Sequence, residues 1–307
     1  MYIRSTVETE AQSLQEFAQL QRLPAAGSTV LDSQCKFCVW PSYDDRLSLK
    51  CTFRGHETYY LRQRPVTVAP EQLLVVNAGQ QYASAIRSAE WVHSFAIYFD
   101  QQLVADVAAA RRATDELLLT KPWAEAAPDV WFFEQLHAAP PALRQGLYQL
   151  QQELAHRPFT ALELDEQLHG VLSALLGLQQ RQVARSAERL AAVKRSTRLE
   201  ICRRLYLAKE FIDDAPAAAL TLDGIARAGM LSKNHLLRHF RQLFGCSPHE
   251  YATGLRLARA RTLLTESALP VQAISAQVGF ASPSAFGRVF KAALQLTPQQ
   301  YRQQHAA

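Results

Sequence analysis

The spacing of apolar positions changes from strand-like to helical near residue 100 of the 307-residue chain. Before that point, short β-branched and aromatic runs alternate with polar residues, as in RLSLKCTF at 46–53 and WVHSFAIYF at 91–99. Prolines and an Asn-Ala-Gly turn signal separate similar runs within 57–86. Short strands with turn signals at this spacing are typical of sandwiches and small barrels, so we predict such a fold over residues 30–100.

Three segments after residue 100 have helical spacing. The first begins at a capping Asp100, and 140–157 begins with proline and ends with basic residues, as the helix dipole favours. The third, 161–190, carries an apolar stripe of Leu162, Leu168, Val171, Leu172, Leu175 and Leu176. This stripe predicts a helix that either packs onto the barrel or forms a dimer contact, because both need the same face.

Charge and polarity divide the chain in two. The polar, charged stretch at 179–197 is the predicted boundary, which gives domains of residues 1–190 and 191–307. The second domain holds 16 Lys and Arg against 7 Asp and Glu, a net charge of +9, whereas the first carries −4. A basic domain beside a mildly acidic one indicates a polyanion binder with a second module, although many basic domains bind nothing acidic.

Composition limits the cellular compartments in which we expect the protein. The five cysteines are an odd number and do not make a disulfide framework, which favours a reducing cytoplasm. No apolar run reaches the ~18 residues of a membrane span, and the N-terminus lacks the apolar core of a secretory signal. We therefore expect a cytoplasmic protein that does not contact a membrane.

The helical region after residue 191 contains an internal repeat. At an offset of 50 residues, Ser232 aligns with Ser282 and Phe240 with Phe290. A short helical segment precedes each serine, at 222–229 and 271–279, and a glycine-containing turn follows it. Two helices joined by such a turn form a helix-turn-helix unit, in which the second helix enters the major groove of DNA.

A helical wheel separates the inner and outer faces of the two second helices. The inner faces hold Leu236, Phe240 and Leu243 in one unit, and Phe286, Val289 and Phe290 in the other. The outer faces hold Asn234, Arg238 and Arg241 in one unit, and Ser284, Arg288 and Lys291 in the other. Arginine can bond guanine and asparagine can bond adenine through two hydrogen bonds, whereas Arg241 and Lys291 are better placed for phosphates.

Residues 200–302 resemble the DNA-binding domain of AraC/XylS-type bacterial transcription regulators. Three segments carry the resemblance: SKNHLLRHFRQLFGCSPHEY at 232–251, RLARARTLL at 256–264 and VGFASPSAFGRVFKAALQLTPQQYR at 278–302. The resemblance implies base-facing positions at Asn234, Leu237, Arg238, Ser284, Ala285 and Arg288. It also implies a sequence-specific regulator that is no enzyme, needs no cofactor, binds double-stranded DNA as a homodimer and works with RNA polymerase.

This sequence departs from the family pattern at three positions. Met230 stands where the family has a first-turn glycine, and Gly229 comes one residue earlier, which predicts a shifted turn. Gln295 replaces a helix-ending glycine, so a left-handed residue there would be slightly strained. Ser275 replaces a usual alanine.

The N-terminal part is similar to the cupin-like effector and dimerisation domain that such regulators often carry. The predicted fold class is therefore α+β: a cupin-like β-barrel with flanking helices, followed by an all-α domain with two helix-turn-helix units. The resemblance implies a small-molecule effector inside the barrel and a dimer contact on the helices at 140–190. It identifies neither the effector nor its contact residues, and leaves activation or repression open.

Two alternatives concern the N-terminal chemistry. Cys35 and Cys38, with Cys51 and conceivably His56, could form a zinc or redox sensor, which would make the protein a thiol- or metal-responsive regulator. We favour buried structural cysteines, because positions 35 and 38 of a regular strand point to opposite faces, and expect no metal site. An enzyme with a DNA-binding tail would need a cluster of histidines and carboxylates inside the barrel, whereas His56 and His93 are solitary.

The second unit is predicted to read fewer bases than the first. Its helix begins with Pro283, Ser284 and Ala285 and continues with Gly287, none of which is a strong base reader. We therefore expect mostly phosphate contacts from this helix, with Arg288 as the exception, and the richer sequence reading from the first.

Overall fold

The structure is a computed structural model that describes residues 1–20, 27–61, 64–111, 130–191, 194–214 and 220–305. It divides into two compact units, residues 1–180 and residues 181–307. The first unit contains strands β1 (Tyr2–Val7), β2 (Thr29–Tyr43), β3 (Ser48–Arg54), β4 (Glu57–Leu61), β5 (Arg64–Val68), β6 (Gln72–Val76), β7 (Tyr82–Tyr98) and β8 (Leu136–Ala138). Its helices are α1 (Glu10–Leu20), α2 (Gln101–Ala110), α3 (Pro141–His156) and most of α4 (Ala161–Ala187).

Strand β7 organises the sheet because it is long enough to pair with three neighbours. Its second half lies between β2 and β3, and its first half pairs with β4 as well as with the end of β2. The strand order is β1-β2-β7-β3-β6-β8, with β5 joined to β4. Within the part of the chain that the structure describes, no pairing joins β1 to β8. The predicted α+β class is confirmed, but the sheet is open, so the closed barrel is not.

Opposite faces of this sheet bury different sets of residues. Leu49 and Cys51 of β3 face a core that α3 and α4 cover, while Lys50 between them faces the other side. The stripe on α4 supplies part of the helix-covered core, with Leu168, Leu172 and Leu175 each at most 1% exposed. Of the two roles that the sequence allowed for this stripe, the structure shows packing onto the sheet, which leaves the buried stripe residues unavailable for a dimer contact.

An irregularity in the pairing of β2 with β7 corrects the prediction that Cys35 and Cys38 point to opposite faces. The pairing with β7 shifts between Cys35 and Phe37, so both thiols are buried on one face. A hydrogen bond to Cys38, together with burial, raises the pKa of the Cys35 thiol. Cys51 lies in the core on the opposite face, where its Sγ donates to the carbonyl of Phe95 over 3.4 Å.

The proposed sensor residues therefore do not converge. His56, the conceivable fourth ligand, is exposed. Burial raises the pKa of Cys51 to about 12, and a protonated thiol is neither a good nucleophile nor a metal ligand. Among the described residues, no group of three His, Cys, Asp or Glu side chains is placed to hold a metal ion.

A buried carboxylate ties the N-terminal strand and one helix to the sheet. Asp32, 1% exposed, accepts hydrogen bonds from the Tyr2 hydroxyl at 2.6 Å, the His93 Nε2 at 2.6 Å and the Gln151 amide at 2.8 Å. Burial raises the pKa of Asp32, but these three hydrogen bonds more than offset it, so the pKa lies below its ordinary value. His93 is thus a structural partner rather than a lone ligand.

The second unit is helical wherever it is described. It consists of the end of α4, α5 (Arg195–Asp214), α6 (Leu222–Ala228), α7 (Lys233–Phe244), α8 (Pro248–Glu266), α9 (Val271–Gln277), α10 (Pro283–Leu294) and α11 (Pro298–His305). Helix α8 joins two bundles, and its residues Leu257, Ala260 and Leu264 contribute to the core of the second. No described helix is both long enough and apolar enough to cross a lipid bilayer.

We expect Asp32→Asn to lower the free energy of unfolding of the first unit by about 2 kcal/mol, because charge-assisted hydrogen bonds are lost. The lowered pKa adds a pH signature. The ionised form of Asp32 stabilises the folded state fully above the unfolded pKa near 3.8, and this contribution is lost as pH falls through the lower folded pKa. Urea titrations followed by tryptophan fluorescence measure both effects, since all four tryptophans precede residue 180. An unchanged acid dependence in the variant would contradict the assignment.

Candidate nucleic-acid interface

The two candidate recognition helices, α7 and α10, begin in the same way. Ser232 and Ser282 are extended residues that cap them, accepting hydrogen bonds from the backbone N–H of His235 at 3.3 Å and of Ala285 at 3.2 Å. Pro283 occupies the first turn of α10, where its missing N–H is not needed. Both helices therefore begin with a serine cap, and α10 adds a proline in its first turn.

One stripe of each helix is buried and fixes which face points outward. In α7, Leu236 and Phe240 are fully buried, and Leu243 is 3% exposed. In α10, Phe286 and Phe290 are fully buried, and Val289 is half-buried against the same core. The predicted inner faces are confirmed, and the opposite faces are left to solvent.

The structure places the predicted contact residues on those outer faces. All are exposed except Ala285, which is half-buried: Asn234, Leu237, Arg238 and Arg241 on α7, and Ser284, Arg288 and Lys291 on α10. Exposure permits contact with DNA but does not test it, so their binding role stays a prediction. Lys233, also exposed, forms an ion pair with Asp223 of α6 at 2.7 Å.

A buried histidine, which the helical wheel did not single out, lies beside Arg238. His239 is 2% exposed, and its Nδ1 lies 2.9 Å from Oε1 of Gln242, while its Nε2 lies 3.3 Å from Nη2 of Arg238. The amide oxygen only accepts and the guanidinium only donates, so the imidazole carries its hydrogen on Nδ1. This contact engages one terminal nitrogen of the Arg238 guanidinium before any DNA is bound.

The turn between α6 and α7 is one residue shorter than the turn between α9 and α10, and Met230 occupies its left-handed position. Met230 has φ 49°, and Gly279, which lies 49 positions later, has φ 85°. The N–H of Met230 donates to the carbonyl of Arg227, and the N–H of Gly279 donates in the same way to the carbonyl of Ala276. The turn is therefore not shifted: Met230 itself adopts the left-handed conformation. Gly229 is needed for a different reason, since a Cβ there would lie 2.8 Å from the carbonyl oxygen of Arg204 in α5.

The ends of α7 and α10 repeat the same geometry with different residues. Gly245 has φ 78° and Gln295 has φ 60°, and each N–H donates to the carbonyl four residues earlier. The left-handed residue predicted at 295 is thus confirmed, with a side chain that disfavours this conformation. Ser275 is fully buried, and its hydroxyl has no hydrogen-bond partner.

Gly245 and Gln295 occupy matching left-handed positions, so opposite substitutions at these two helix ends test the backbone strain at each. We expect Gln295→Gly to raise the free energy of unfolding of the second unit by up to about 1 kcal/mol, and Gly245→Gln to lower it by about 1 kcal/mol. Ala293→Gly, inside α10, should instead destabilise by about 1 kcal/mol. Urea unfolding followed by circular dichroism checks all three. Equal losses from Gln295→Gly and Ala293→Gly would refute the strain.

The first unit holds a cavity on the face of the sheet opposite α3 and α4. It encloses about 320 Å³ of space, open solvent included. Its lining combines aromatic rings and serines with one cation, Lys50, and one carboxylate, Glu57, and contains no histidine. The lining thus lacks the cluster of histidines and carboxylates that the enzyme alternative requires. Lys50 was missed by sequence reasoning, although a lysine between buried neighbours in a strand is itself a signal.

Comparisons with known proteins also indicate a helix-turn-helix domain in the second unit of the chain. A family described as a helix-turn-helix domain matches residues 225–304. The lactose operon transcription activator of Staphylococcus xylosus is 30% identical over 31% of this chain and 34% of its own length. A putative AraC-like transcription regulator of Streptomyces antibioticus is 27% identical over 52% of each chain. The probable transcription factor PqrA of Proteus vulgaris is 34% identical over 27% of this chain and 69% of its own.

The matched region is limited in extent. The chain covers about a third of the length of the first curated relatives it matches. The similarity to PqrA extends over most of that shorter protein, and the family match lies within the helix-turn-helix region.

Proposed function

The chain belongs to the AraC family of helix-turn-helix transcription regulators, and we propose that it binds specific DNA sequences under the control of a small molecule held by its first unit. One observation carries the DNA-binding part. Two helices at matched positions of a repeat bury one stripe each and expose arginine or lysine on the other side, within a region of net charge +9. Exposed cations at such positions suit the phosphate backbone and the base edges of the major groove.

In the proposed complex, α7 and α10 enter successive major-groove segments on one side of the duplex, about 34 Å apart. Arg238 and Asn234 read bases, with Leu237 beside them. Arg241 and Lys291 bind phosphates, which position the protein without specifying the sequence. On α10, Arg288 reads a base, Ser284 assists, and Ala285 lies against a thymine methyl group.

The cavity in the first unit supports the effector part. It is lined by strands on the face of the sheet opposite α3 and α4, and it combines apolar walls with a few polar groups, as ligand sites do. A ligand there regulates only if it binds one functional state more tightly than the other. We propose a homodimer with RNA polymerase as a further partner, as the family implies. The dimer surface lies away from the Leu168 stripe, which is buried.

Arg238→Ala should weaken binding to the specific site by roughly tenfold to a hundredfold, because a bidentate base contact is lost, and leave weak, salt-sensitive binding to random DNA nearly unchanged. Lys291→Ala is the matched comparison: it should weaken both kinds of binding equally and reduce the slope of log affinity against log salt by about 1. Fluorescence anisotropy with a duplex selected from a random pool measures both. Equal loss on specific and random DNA for Arg238→Ala would refute base reading.

The two helices should also differ in how much sequence they read. Exchanging base pairs beneath α7 should reduce affinity more than exchanging those beneath α10, where Arg288 is the principal reader. Footprinting assigns the two half-sites, and anisotropy with exchanged duplexes measures each loss. Equal losses beneath both helices would show that the second unit reads sequence as fully as the first.

A further inference from the structure

The cavity of the first unit contains a cation withdrawn from water. Lys50 points from β3 into the cavity and is 1% exposed. Its Nζ donates one hydrogen bond, to the Tyr82 hydroxyl at 2.8 Å, and lies 3.8 Å from the centre of the Tyr98 ring. No ion pair joins it to a carboxylate among the described residues. A buried ammonium with one hydrogen bond retains donors that an anion would satisfy.

A second donor in the same lining also lacks a partner. Trp40 is 7% exposed and lines the cavity, and its indole Nε1–H makes no hydrogen bond with any residue that the structure describes. An unsatisfied buried donor is unfavourable, and native structures contain few of them. The lining therefore offers two hydrogen-bond donors that an acceptor could satisfy: the Lys50 ammonium and the Trp40 indole N–H.

The acceptor in the lining is already engaged. Glu57, 6% exposed, accepts a hydrogen bond from the hydroxyl of Ser94 through one of its two carboxylate oxygens. Burial raises the pKa of Tyr59, Tyr82 and Tyr43, so these phenols stay neutral and add no negative charge. A ligand that brings an acceptor would find two donors here, on Lys50 and Trp40.

We propose that this cavity binds a small organic monocarboxylate, with the carboxylate on Lys50 and Trp40 and a short apolar or aromatic body among the rings. This assignment rests on the proposed effector function and names its ligand class. A single cation suits one negative charge better than a phosphate, which several cations usually hold. The space of about 320 Å³ includes open solvent, so it is an upper bound on the room for a ligand and favours a small body.

The walls of the cavity suit such a body. Tyr43, Tyr59 and Tyr98 line it together with Leu31 and Ile86. Outside the lining, the Phe17 ring of α1 lies 5.2 Å from Tyr43 and 5.9 Å from Trp40, measured between ring centroids. With the carboxylate on Lys50 and Trp40, the apolar part of the ligand would replace contacts with water by contacts with rings.

Thermal unfolding of the full chain, followed by tryptophan fluorescence, tests the assignment with phenylacetate and hexanoate against their neutral amides, phenylacetamide and hexanamide. The acids should raise the midpoint by roughly 5 to 10 °C at about a hundred times their dissociation constant, and the amides should not. Inorganic phosphate should have no such effect. Equal shifts from acids and amides, or no shift from either acid, would overturn the assignment.

Three variants locate the carboxylate. Lys50→Met should weaken acid binding by at least tenfold without destabilising the fold, since an apolar residue of similar size replaces a buried charge. Trp40→Phe, which keeps an aromatic ring and removes the N–H, should weaken it by about tenfold. Lys36→Met is the matched control, because Lys36 lies over Trp91 and not in the cavity lining. Undiminished acid binding in both Lys50→Met and Trp40→Phe would overturn the assignment.

A separate readout distinguishes this assignment from the effector function on which it rests. Anisotropy with the selected duplex, with and without phenylacetate, should show a change in DNA affinity that Lys50→Met abolishes. Acid binding without any change in DNA affinity would uphold the cavity assignment and overturn effector control. A change in DNA affinity caused by the amides alone would uphold effector control and overturn the carboxylate class.

Discussion

Two buried residues four positions apart fix the orientation of each recognition helix, and the outer surface of the second unit depends on them. Leu236 and Phe240 hold α7, and Phe286 and Phe290 hold α10. Because a helix turns through about 100° per residue, burying this stripe determines which side chains face solvent. The cations at 238, 241, 288 and 291 are therefore positioned by the core beneath them.

This constraint explains why the second unit could be predicted closely from sequence. Serine caps, a core stripe with helical period and left-handed helix ends are local signals, and each appears twice in the repeat. The exception was the first turn, where two demands fall on adjacent residues. Gly229 is required by the backbone of α5, so the left-handed position falls on Met230, and the approach of α5 is a tertiary contact that no local pattern contains.

The first unit was harder to predict because its determinants are distant in sequence. Strand β1 and helix α1 precede the segment with clear strand signals, and the three-residue β8 is held only by pairing with β6. An irregularity in the pairing of β2 with β7 places Cys38 on the face of Cys35, which regular alternation forbids. Lys50 lies on the face of the sheet that regular strand alternation predicts. Its ammonium is buried because both faces of the sheet are covered, which the sequence around Lys50 does not show.

The two units use positive charge in physically different ways. The outer faces of α7 and α10 carry exposed cations. The attraction of such cations for DNA weakens steeply as the salt concentration rises, because the release of counterions from DNA then becomes less favourable. Lys50 is withdrawn from water, so salt screens its attraction for an anion much less. If a ligand on Lys50 changes DNA affinity by some factor, DNA must change ligand affinity by the same factor. Effector control is therefore a property that can be measured from the cavity as well as from the DNA, and the difference in salt dependence separates the two binding events.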